Sequence, residues 1–335
     1  MMLQKLKQSL HLLAPASILS QTEFGKLTGK FSLKALDVGA RGGFDTLLTP
    51  IADIVEFIGF EPDEAEVKRL EADRLSKGPW LRVRYLPVAL GNTADSRLLY
   101  LTQSPGCSSL LPSNPDMYTR YGREELFTVV GTTEVATVML DDAARKYSFQ
   151  EASYLKIDIQ GAELEVLNTG KKLLASSIVA IRAEVEFQQI YKDQPLFRDI
   201  DTFLAGQGFH LVDFHQPVTW PLQTSGASLK SPFVIGRDCL GELIHTDALY
   251  FRDLDAFSDS DENAILVCIK AAMLALAYGR LSYAAVLFSK KRVKEYLTTA
   301  YGVDVEKAMA DARLMIIKHN KRNRLLSVVR LMLGR

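Results

Sequence analysis

The segment LDVGARGG, residues 36–43, joins an apolar strand to a glycine-rich turn. The apolar run predicts a buried strand over residues 34–38, with Asp37 near its carboxyl end, directly before the turn. Glycine adopts positive φ readily and lets a backbone approach a ligand closely. Ligands of open α/β sheets bind outside the carboxyl ends of the strands. The segment therefore predicts a ligand site at the first strand of a parallel sheet.

Downstream of this segment, apolar runs of strand length alternate with amphipathic helical stretches. Strands are predicted over residues 54–60, 81–90, 154–159, 178–187, 209–214 and 248–252, and helices over 63–75, 162–174 and 196–206. Buried strands separated by helices predict a mostly parallel α/β sheet. Residues 103–135, rich in Pro, Ser, Gly and Tyr, interrupt this pattern, and we predict an irregular lid or substrate loop there.

The composition divides the chain into unlike parts. Its 335 residues are 47% hydrophobic and 24% charged, which excludes wholesale disorder and a multi-span membrane protein. The 40 basic and 40 acidic residues are segregated: residues 1–262 hold 26 basic and 36 acidic, and residues 263–335 hold 14 and 4. We predict an N-terminal helical extension (1–30), an α/β domain (31–255) and a basic C-terminal helical module (256–335) of three helices, 264–289, 290–301 and 305–333.

The cysteine spacing and the apolar segments indicate the cellular compartment of the protein. Cys107, Cys239 and Cys268 form no CxxC pair, which favours a reducing cytoplasm over a disulfide or zinc framework. The N-terminus lacks the continuous apolar core of a signal peptide, and the longest apolar stretch, 264–278, is interrupted by Lys270. We predict a cytoplasmic protein, with peripheral attachment to the inner face of the membrane as an alternative that the basic tail allows.

A second acidic residue indicates the kind of ligand. Glu61 lies 24 residues after Asp37, at the end of the next predicted strand, where a carboxylate can accept hydrogen bonds from both ribose hydroxyls. The turn GARGG is not GxGxxG, and the carboxylate of Asp37 would repel a pyrophosphate. A cofactor with an amino group and a sulfonium suits this turn, which favours S-adenosylmethionine over NAD.

Six segments in order and spacing resemble the FkbM family of methyltransferases: LDVGARGG (36–43), GFEP (59–62), ALGN (89–92), CSSL (107–110), LDD (140–142) and YLKIDIQGAELEVLNTG (154–170). The resemblance covers about residues 31–252. It implies a class I, Rossmann-like methyltransferase fold: a seven-stranded, mostly parallel sheet with its last strand antiparallel. It also implies O-methylation of sugars on glycans or of secondary metabolites.

The resemblance also implies roles for individual residues. The resemblance places Asp37, Gly39, Ala40 and Arg41 around the methionine part of the cofactor, Glu61 and Pro62 at the ribose, and Ala89 and Leu90 at the adenine. Gly43 in the same turn and Ser109, whose hydroxyl can hydrogen-bond cofactor or substrate, complete the expected cofactor-binding residues. Two alternatives stay open. Arg41 either clamps the cofactor carboxylate or forms a surface ion pair, and Ser109 either binds a ligand or stabilises a turn.

Methyl transfer to a hydroxyl needs a base or a metal ion. Asp158, at the end of a core strand, and Glu184 and Glu186, which share a face of the next strand, are the candidate catalytic residues. Asp158 and Glu184 are also the candidates for a divalent metal site. The alternative is ion pairing with Lys156 or Arg182. Lone histidines such as His245 are interpreted as structural.

The interpretation is an S-adenosylmethionine-dependent O-methyltransferase acting on a sugar hydroxyl in glycan or cell-surface polysaccharide biosynthesis. Two alternatives are an O-methyltransferase of a polyketide or other small metabolite, and a non-catalytic nucleoside-binding scaffold. The expected partners are the acceptor, a second copy bound through the C-terminal helices, and an anionic membrane surface or acidic partner for the basic tail. Nucleic acid is disfavoured, because the tail has no interleaved aromatic residues.

Overall fold

A computed structural model describes residues 18–43, 46–74, 80–223 and 241–332, without the side chains of 73–74 and 320–332. The first 17 residues of the predicted N-terminal extension, Cys239 and the last three residues of the basic tail lie outside this description. The described strands are β1 Leu33–Val38, β2 Val55–Phe60, β3 Arg82–Leu86, β4 Ala89–Leu90, β5 Ser96–Thr102, β6 Val129–Val138, β7 Tyr154–Ile157, β8 Ala180–Glu186, β9 Phe209–Trp220 and β10 Glu242–Arg252.

Helices connect and cover these strands. The α-helices are α1 Glu64–Arg74, α2 Pro115–Arg120, α3 Glu124–Phe127, α4 Leu140–Lys146, α5 Glu163–Thr169, α6 Lys171–Ser176, α7 Phe197–Gly206, α8 Glu262–Ala277, α9 Leu281–Ser289, α10 Lys291–Tyr301 and α11 Val305–Met332. Short 3₁₀ helices span Glu23–Leu27, Thr46–Ile54, Pro105–Cys107 and Leu254–Ala256. The helix predicted over 162–174 is two helices, because Gly170 separates α5 from α6 where it packs against Leu140.

The main sheet has seven strands in the order β3-β2-β1-β7-β8-β10-β9. The pairs β1–β2, β1–β7, β2–β3 and β7–β8 are parallel, and β10 is antiparallel to both β8 and β9. Strands β1 and β2 are buried along nearly their whole length, which suits a parallel sheet covered on both faces. The predicted seven-stranded, mostly parallel α/β fold with its last strand antiparallel is confirmed.

A three-stranded sheet replaces part of the predicted irregular segment. Strand β6 pairs antiparallel with β5 and, at its end, parallel with β4. The prediction of an irregular loop over 103–135 was therefore wrong for residues 129–135, which belong to β6, and for residues 115–120 and 124–127, which form α2 and α3. Most of β6 is exposed or half-buried, so it lacks the apolar run that marks a core strand. The strand predicted over 81–90 is also interrupted, because Pro87 between β3 and β4 has no N–H to donate.

The C-terminal helices pack directly on the main sheet. Residues of α8 such as Cys268 and Leu274 belong to the same buried cluster as Leu33 of β1. The hydroxyl groups of Tyr154 on β7 and Tyr278, which follows α8, lie 2.6 Å apart. The predicted helix 264–289 is two helices, since Gly279 between them has a φ of +70°. The domain boundaries at residues 30 and 255 stay a prediction.

Candidate active site

The glycine-rich turn packs between the carboxyl ends of β2 and β7. The backbone N–H groups of Gly39 and Ala40 both donate to the carbonyl of Phe60, at 3.2 and 3.0 Å. Gly39 has a φ of +83°, and a Cβ added there would lie 2.9 Å from the carbonyl carbon of Asp158 and closer still to its oxygen. Only glycine satisfies both the left-handed backbone and this close approach, so the turn stays tight against β7.

A cavity of about 720 Å³ opens at the carboxyl ends of β1, β2 and β7. Strands β5 and β6 and the segment 105–110 cover it. Its volume lies within the range of small-ligand and cofactor sites. The expected site residues that line it are Gly39, Arg41, Glu61, Pro62, Ala89, Leu90, Ser109 and Asp158. Those that do not line it are Asp37, Ala40, Gly43, Glu184 and Glu186.

Glu61 presents a buried carboxylate to this cavity. Its Oε1 accepts a hydrogen bond from the N–H of Asp63 at 2.9 Å, and Arg41 Nε lies 3.6 Å from Oε2. Arg41 also donates to Asp63 at 2.7 Å, so its guanidinium is ion-paired at the rim of the cavity. Burial raises the pKa of Glu61, with the hydrogen bond from Asp63 and the charge of Arg41 acting in the opposite direction. A ligand group in the cavity that donates a further hydrogen bond would stabilise the ionised form of this buried carboxylate.

Asp37 and Lys156 form an ion pair beneath the turn. Lys156 Nζ lies 3.1 Å from Asp37 Oδ1, donates to the carbonyl of Gly39 at 3.1 Å and lies 3.5 Å from Asp158 Oδ2. Burial opposes the charge of Lys156, but the two aspartates outweigh it and raise the pKa of the lysine. Asp37 therefore holds Lys156, and Lys156 ties the turn to β7. Because Lys156 also lies close to Asp158, the ion pair offered as an alternative role for Asp158 is present alongside its position in the cavity wall.

Asp158 and Glu184 form a pair of carboxyl groups at the ends of β7 and β8. The side-chain amide of Gln160 donates to both, at 2.9 Å to Asp158 and 2.8 Å to Glu184. Burial and the charge of Asp158 raise the pKa of Glu184 to about 8. Burial opposes ionisation of Asp158 as well, but Lys156 and the proton on Glu184 hold the pKa of Asp158 at about 2. Two carboxyl groups whose pKa values move apart are a common basis for acid–base chemistry.

Glu184 has a second partner on the antiparallel strand β10. His245 Nδ1 lies 3.0 Å from Glu184 Oε1. Burial lowers the pKa of His245, but the neighbouring Glu184 outweighs burial and raises it. In the described parts of the chain, no group of three or more His, Cys, Asp or Glu side chains is arranged to hold a metal ion.

Glu186 lies away from the cavity, deeper in the fold. Its side chain is 1% exposed, and burial together with the nearby Glu163 raises its pKa well above the ordinary value. Glu163 accepts hydrogen bonds from the N–H groups of Ile159 at 2.8 Å and Gly161 at 3.2 Å. This position does not bring Glu186 to a ligand in the cavity.

The remaining expected residues have local structural partners. Ser109 Oγ donates to the carbonyl of Gln160 at 2.7 Å and accepts from the N–H of Leu111 at 3.0 Å, as the turn alternative requires. Ala40 packs in a cluster with Val67, Leu70 and Tyr85. The N–H of Gly43 donates to the carbonyl of Ala40 at 3.1 Å, which closes the turn.

Sequence reasoning missed Gln160, Tyr191 and His245. Gln160 lies inside the segment 154–170, but nothing in its type indicates that its amide bridges two carboxyl groups. His245 reaches Glu184 through the β8–β10 register, which no local pattern encodes. The apolar side chains that cover the cavity, such as Leu99 and Val130, were missed because neither β5 nor β6 was predicted.

Comparison with known proteins identifies the family. The sequence profile described as the methyltransferase FkbM domain matches residues 37–211, about half of the chain. The chain therefore belongs to the FkbM methyltransferase family, as the resemblance predicted. No curated protein matches the chain significantly.

Several solved structures are distantly similar to this chain, among them two methyltransferases. The methyltransferase FkbM from Methylobacillus flagellatus KT shares 14% sequence identity with a TM-score of 0.37, over 72% of this chain and 49% of that chain. The present chain thus spans about half the length of that protein. The 23S rRNA methyltransferase ErmE shares 14% identity with a TM-score of 0.31, over 89% of this chain and 96% of that chain. Neither likeness is close enough to define an activity.

Proposed function

We propose that this protein is an S-adenosylmethionine-dependent O-methyltransferase and that the 720 Å³ cavity holds both the cofactor and the reacting hydroxyl. One observation carries the proposal: the buried carboxylate of Glu61 and the ionised carboxylate of Asp158 open into the same cavity, at the ends of β2 and β7. Membership of a methyltransferase family supports the reaction class.

The residues around the cavity fit this cofactor. Glu61 offers carboxylate oxygens to the ribose hydroxyls, which would satisfy a group that burial leaves short of donors. Apolar side chains supply a surface for the adenine ring; they are Phe60, Val88, Ala89, Leu90, Leu99 and Leu101. The negative charge of Asp158 suits a cationic sulfonium. When bound, S-adenosylmethionine supplies an electrophilic methyl group.

Asp158 is the candidate base. With a pKa of about 2 it is ionised at neutral pH, so its carboxylate accepts a hydrogen bond from an acceptor hydroxyl and takes the proton as the oxygen is methylated. The segment 105–110 and strands β5 and β6 form one wall of the cavity and exclude water from that side. Shielding strengthens the electrostatic interactions between the residues and the reacting groups.

We propose a sugar as the acceptor. A groove of about 360 Å³ lies next to the end of β8, between Gln188–Gln189 and helix α2. Its polar lining consists of Asn114, Asp116, Arg120, Gln188, Gln189 and Arg198. These side chains include both donors and acceptors, as recognition of a polyhydroxylated ligand requires. A small apolar metabolite would make few hydrogen bonds with them.

Methyl transfer from labelled S-adenosylmethionine to a panel of sugar nucleotides, oligosaccharides and phenolic metabolites tests this proposal. We expect label in a sugar, and we expect Asp158→Asn to abolish it while Asp255→Asn, an exposed aspartate outside the cavity, does not. Label in a phenolic compound would contradict the sugar assignment. Absence of transfer to any acceptor by a protein that binds the cofactor would support the scaffold alternative.

The remaining expectations concern location and assembly. Helix α11 carries the basic tail, and we propose that it contacts an anionic membrane surface, an acidic partner or a second copy of the chain. In the parts of the chain that the structure describes, no helix is both long and apolar enough to cross a membrane.

A further inference from the structure

The turn after β7 holds Gln160 in an unusual backbone conformation. Gln160 has a φ of +60° and Gly161 a φ of +103°. A left-handed conformation is uncommon for residues other than glycine and costs free energy. Three hydrogen bonds maintain it: the Glu163 carboxylate accepts from the N–H groups of Ile159 and Gly161, and Ser109 donates to the Gln160 carbonyl. The fold therefore stabilises a strained turn that directs one side chain.

The side-chain amide of Gln160 is fully engaged. Its NH₂ group donates to Asp158 Oδ1 at 2.9 Å and to Glu184 Oε2 at 2.8 Å, and its Oε1 accepts from the hydroxyl of Tyr191 at 2.8 Å. An amide has two donor hydrogens, and both are used here. The opposite orientation would direct the amide oxygen at two carboxyl groups. The amide orientation is therefore fixed by its three partners.

Tyr191 connects this amide to the segment that covers the cavity. Its side chain is fully buried, and its hydroxyl lies 2.8 Å from Gln160 Oε1 and 2.7 Å from the carbonyl oxygen of Cys107. A phenol has one proton, so it donates fully to only one of these acceptors at a time. Cys107 lies within segment 105–110, so the hydroxyl links the carboxyl pair to the cover of the site.

We propose that Gln160 is a positioning residue for methyl transfer: its amide holds Asp158 and Glu184 in one arrangement, and Tyr191 holds the amide. The inference rests on the proposed function, in which Asp158 takes the proton of the acceptor. At neutral pH Asp158 is ionised and Glu184 keeps its proton, and the shared amide donor fixes the position of one carboxyl group relative to the other. The hydrogen bond from the amide to Oδ1 also restricts rotation of the Asp158 carboxylate, which stays directed into the cavity.

Gln160→Glu tests the role of the amide with little change of shape. It keeps the backbone strain and the side-chain length but removes both donors. We expect kcat to fall about 100-fold, since misplacement of a reacting group by about 1 Å has an effect of that size, with the KM for S-adenosylmethionine unchanged. Gln216→Glu is the matched control, because Gln216 has a φ of +57° and does not line the cavity. We expect it to retain kcat.

Tyr191→Phe tests whether the tyrosine acts through Gln160. We expect kcat to fall about tenfold on loss of one hydrogen bond. The double variant should be no slower than Gln160→Glu alone, because the hydroxyl has no amide left to orient. Multiplicative effects, or a loss confined to the KM for the donor, would overturn the proposal, since they would mean that Tyr191 acts through the cavity cover. Full activity of Gln160→Glu would overturn it as well.

An NMR measurement tests the same geometry without turnover. The two side-chain amide protons of Gln160, assigned by their disappearance in Gln160→Glu, should exchange slowly with water in the wild type and faster in Tyr191→Phe. Fast exchange in the wild type would overturn the inference. Failure of the proposed function is a separate result, which is absence of methyl transfer by a wild-type protein whose Gln160 amide protons are protected.

Discussion

Replacement of Gly39 by alanine should both destabilise the fold and disturb the cavity. Alanine at a φ of +83° costs roughly 1–2 kcal/mol from the left-handed backbone alone. The new Cβ would lie 2.9 Å from the Asp158 carbonyl carbon, at least 0.5 Å inside the 3.4 Å at which ordinary contact begins. Overpacking of this kind costs about 1–3 kcal/mol more. We therefore expect a loss of about 2–5 kcal/mol in the free energy of unfolding.

Gly42→Ala is the matched control for this prediction. Gly42 has a φ of +91°, but a Cβ there would meet nothing within 4 Å, so only the backbone cost of roughly 1–2 kcal/mol applies. Urea unfolding measures both free energies, and calorimetry with S-adenosylmethionine measures binding. Gly39→Ala should lose more stability and more affinity than Gly42→Ala, because it displaces the end of β7 that carries Asp158. Equal losses in the two variants would refute the reasoning.

Three further predictions concern charge and packing. The fold raises the pKa of Glu184 from 4.5 to about 8, so its contribution to stability is complete below pH 4.5 and is lost as pH rises through 8. The free energy of unfolding, measured as a function of pH, should therefore fall less between pH 4.5 and 8 in Glu184→Gln than in the wild type. Arg41→Gln should make S-adenosylmethionine binding more sensitive to acid in calorimetry, because the charge of Arg41 lowers the pKa of Glu61. A chain ending at residue 261 should be insoluble on expression, whereas one ending at residue 319, which keeps the buried cluster, should fold.

Local sequence patterns were sufficient to predict the core strands of the fold and the acidic residues at one wall of the cavity. The apolar strand before Gly39 and the acidic end of the next strand both follow from residues adjacent in sequence. The structure brings Glu61 and Asp158 to one cavity because the strands that carry them are parallel and lie on either side of β1. Parallel strands place their carboxyl ends at the same edge of the sheet, so this arrangement is predictable.

The rest of the site depends on contacts between distant residues. Asp37 looks like a ligand residue in the sequence, but its carboxylate is buried against Lys156, which reaches it through the β1–β7 register. The pairing of Glu184 with His245 similarly depends on β8 and β10 being neighbours. Strand β6 is stabilised by pairing with β5 rather than by burial of its own side chains, so its sequence carries a weak strand signal.

The charge of the C-terminal region and its packing are separate properties. Helix α8 carries few charges and packs in the same core as β1, whereas the basic residues are concentrated later in the chain. Charge describes the solvent-exposed surface of a helix, whereas apolar residues determine what the helix packs against.

Calorimetric titration with S-adenosylmethionine tests the central claim most directly. The wild-type protein should bind the cofactor, and Glu61→Gln should bind it roughly 10–100-fold more weakly, because hydrogen bonds to a charged group contribute about 1.5–3 kcal/mol. Glu66→Gln is the control, since Glu66 lies on α1 and does not line the cavity. It should bind like the wild type. A wild-type protein that does not bind S-adenosylmethionine, or a Glu61→Gln variant with undiminished affinity, would contradict the account.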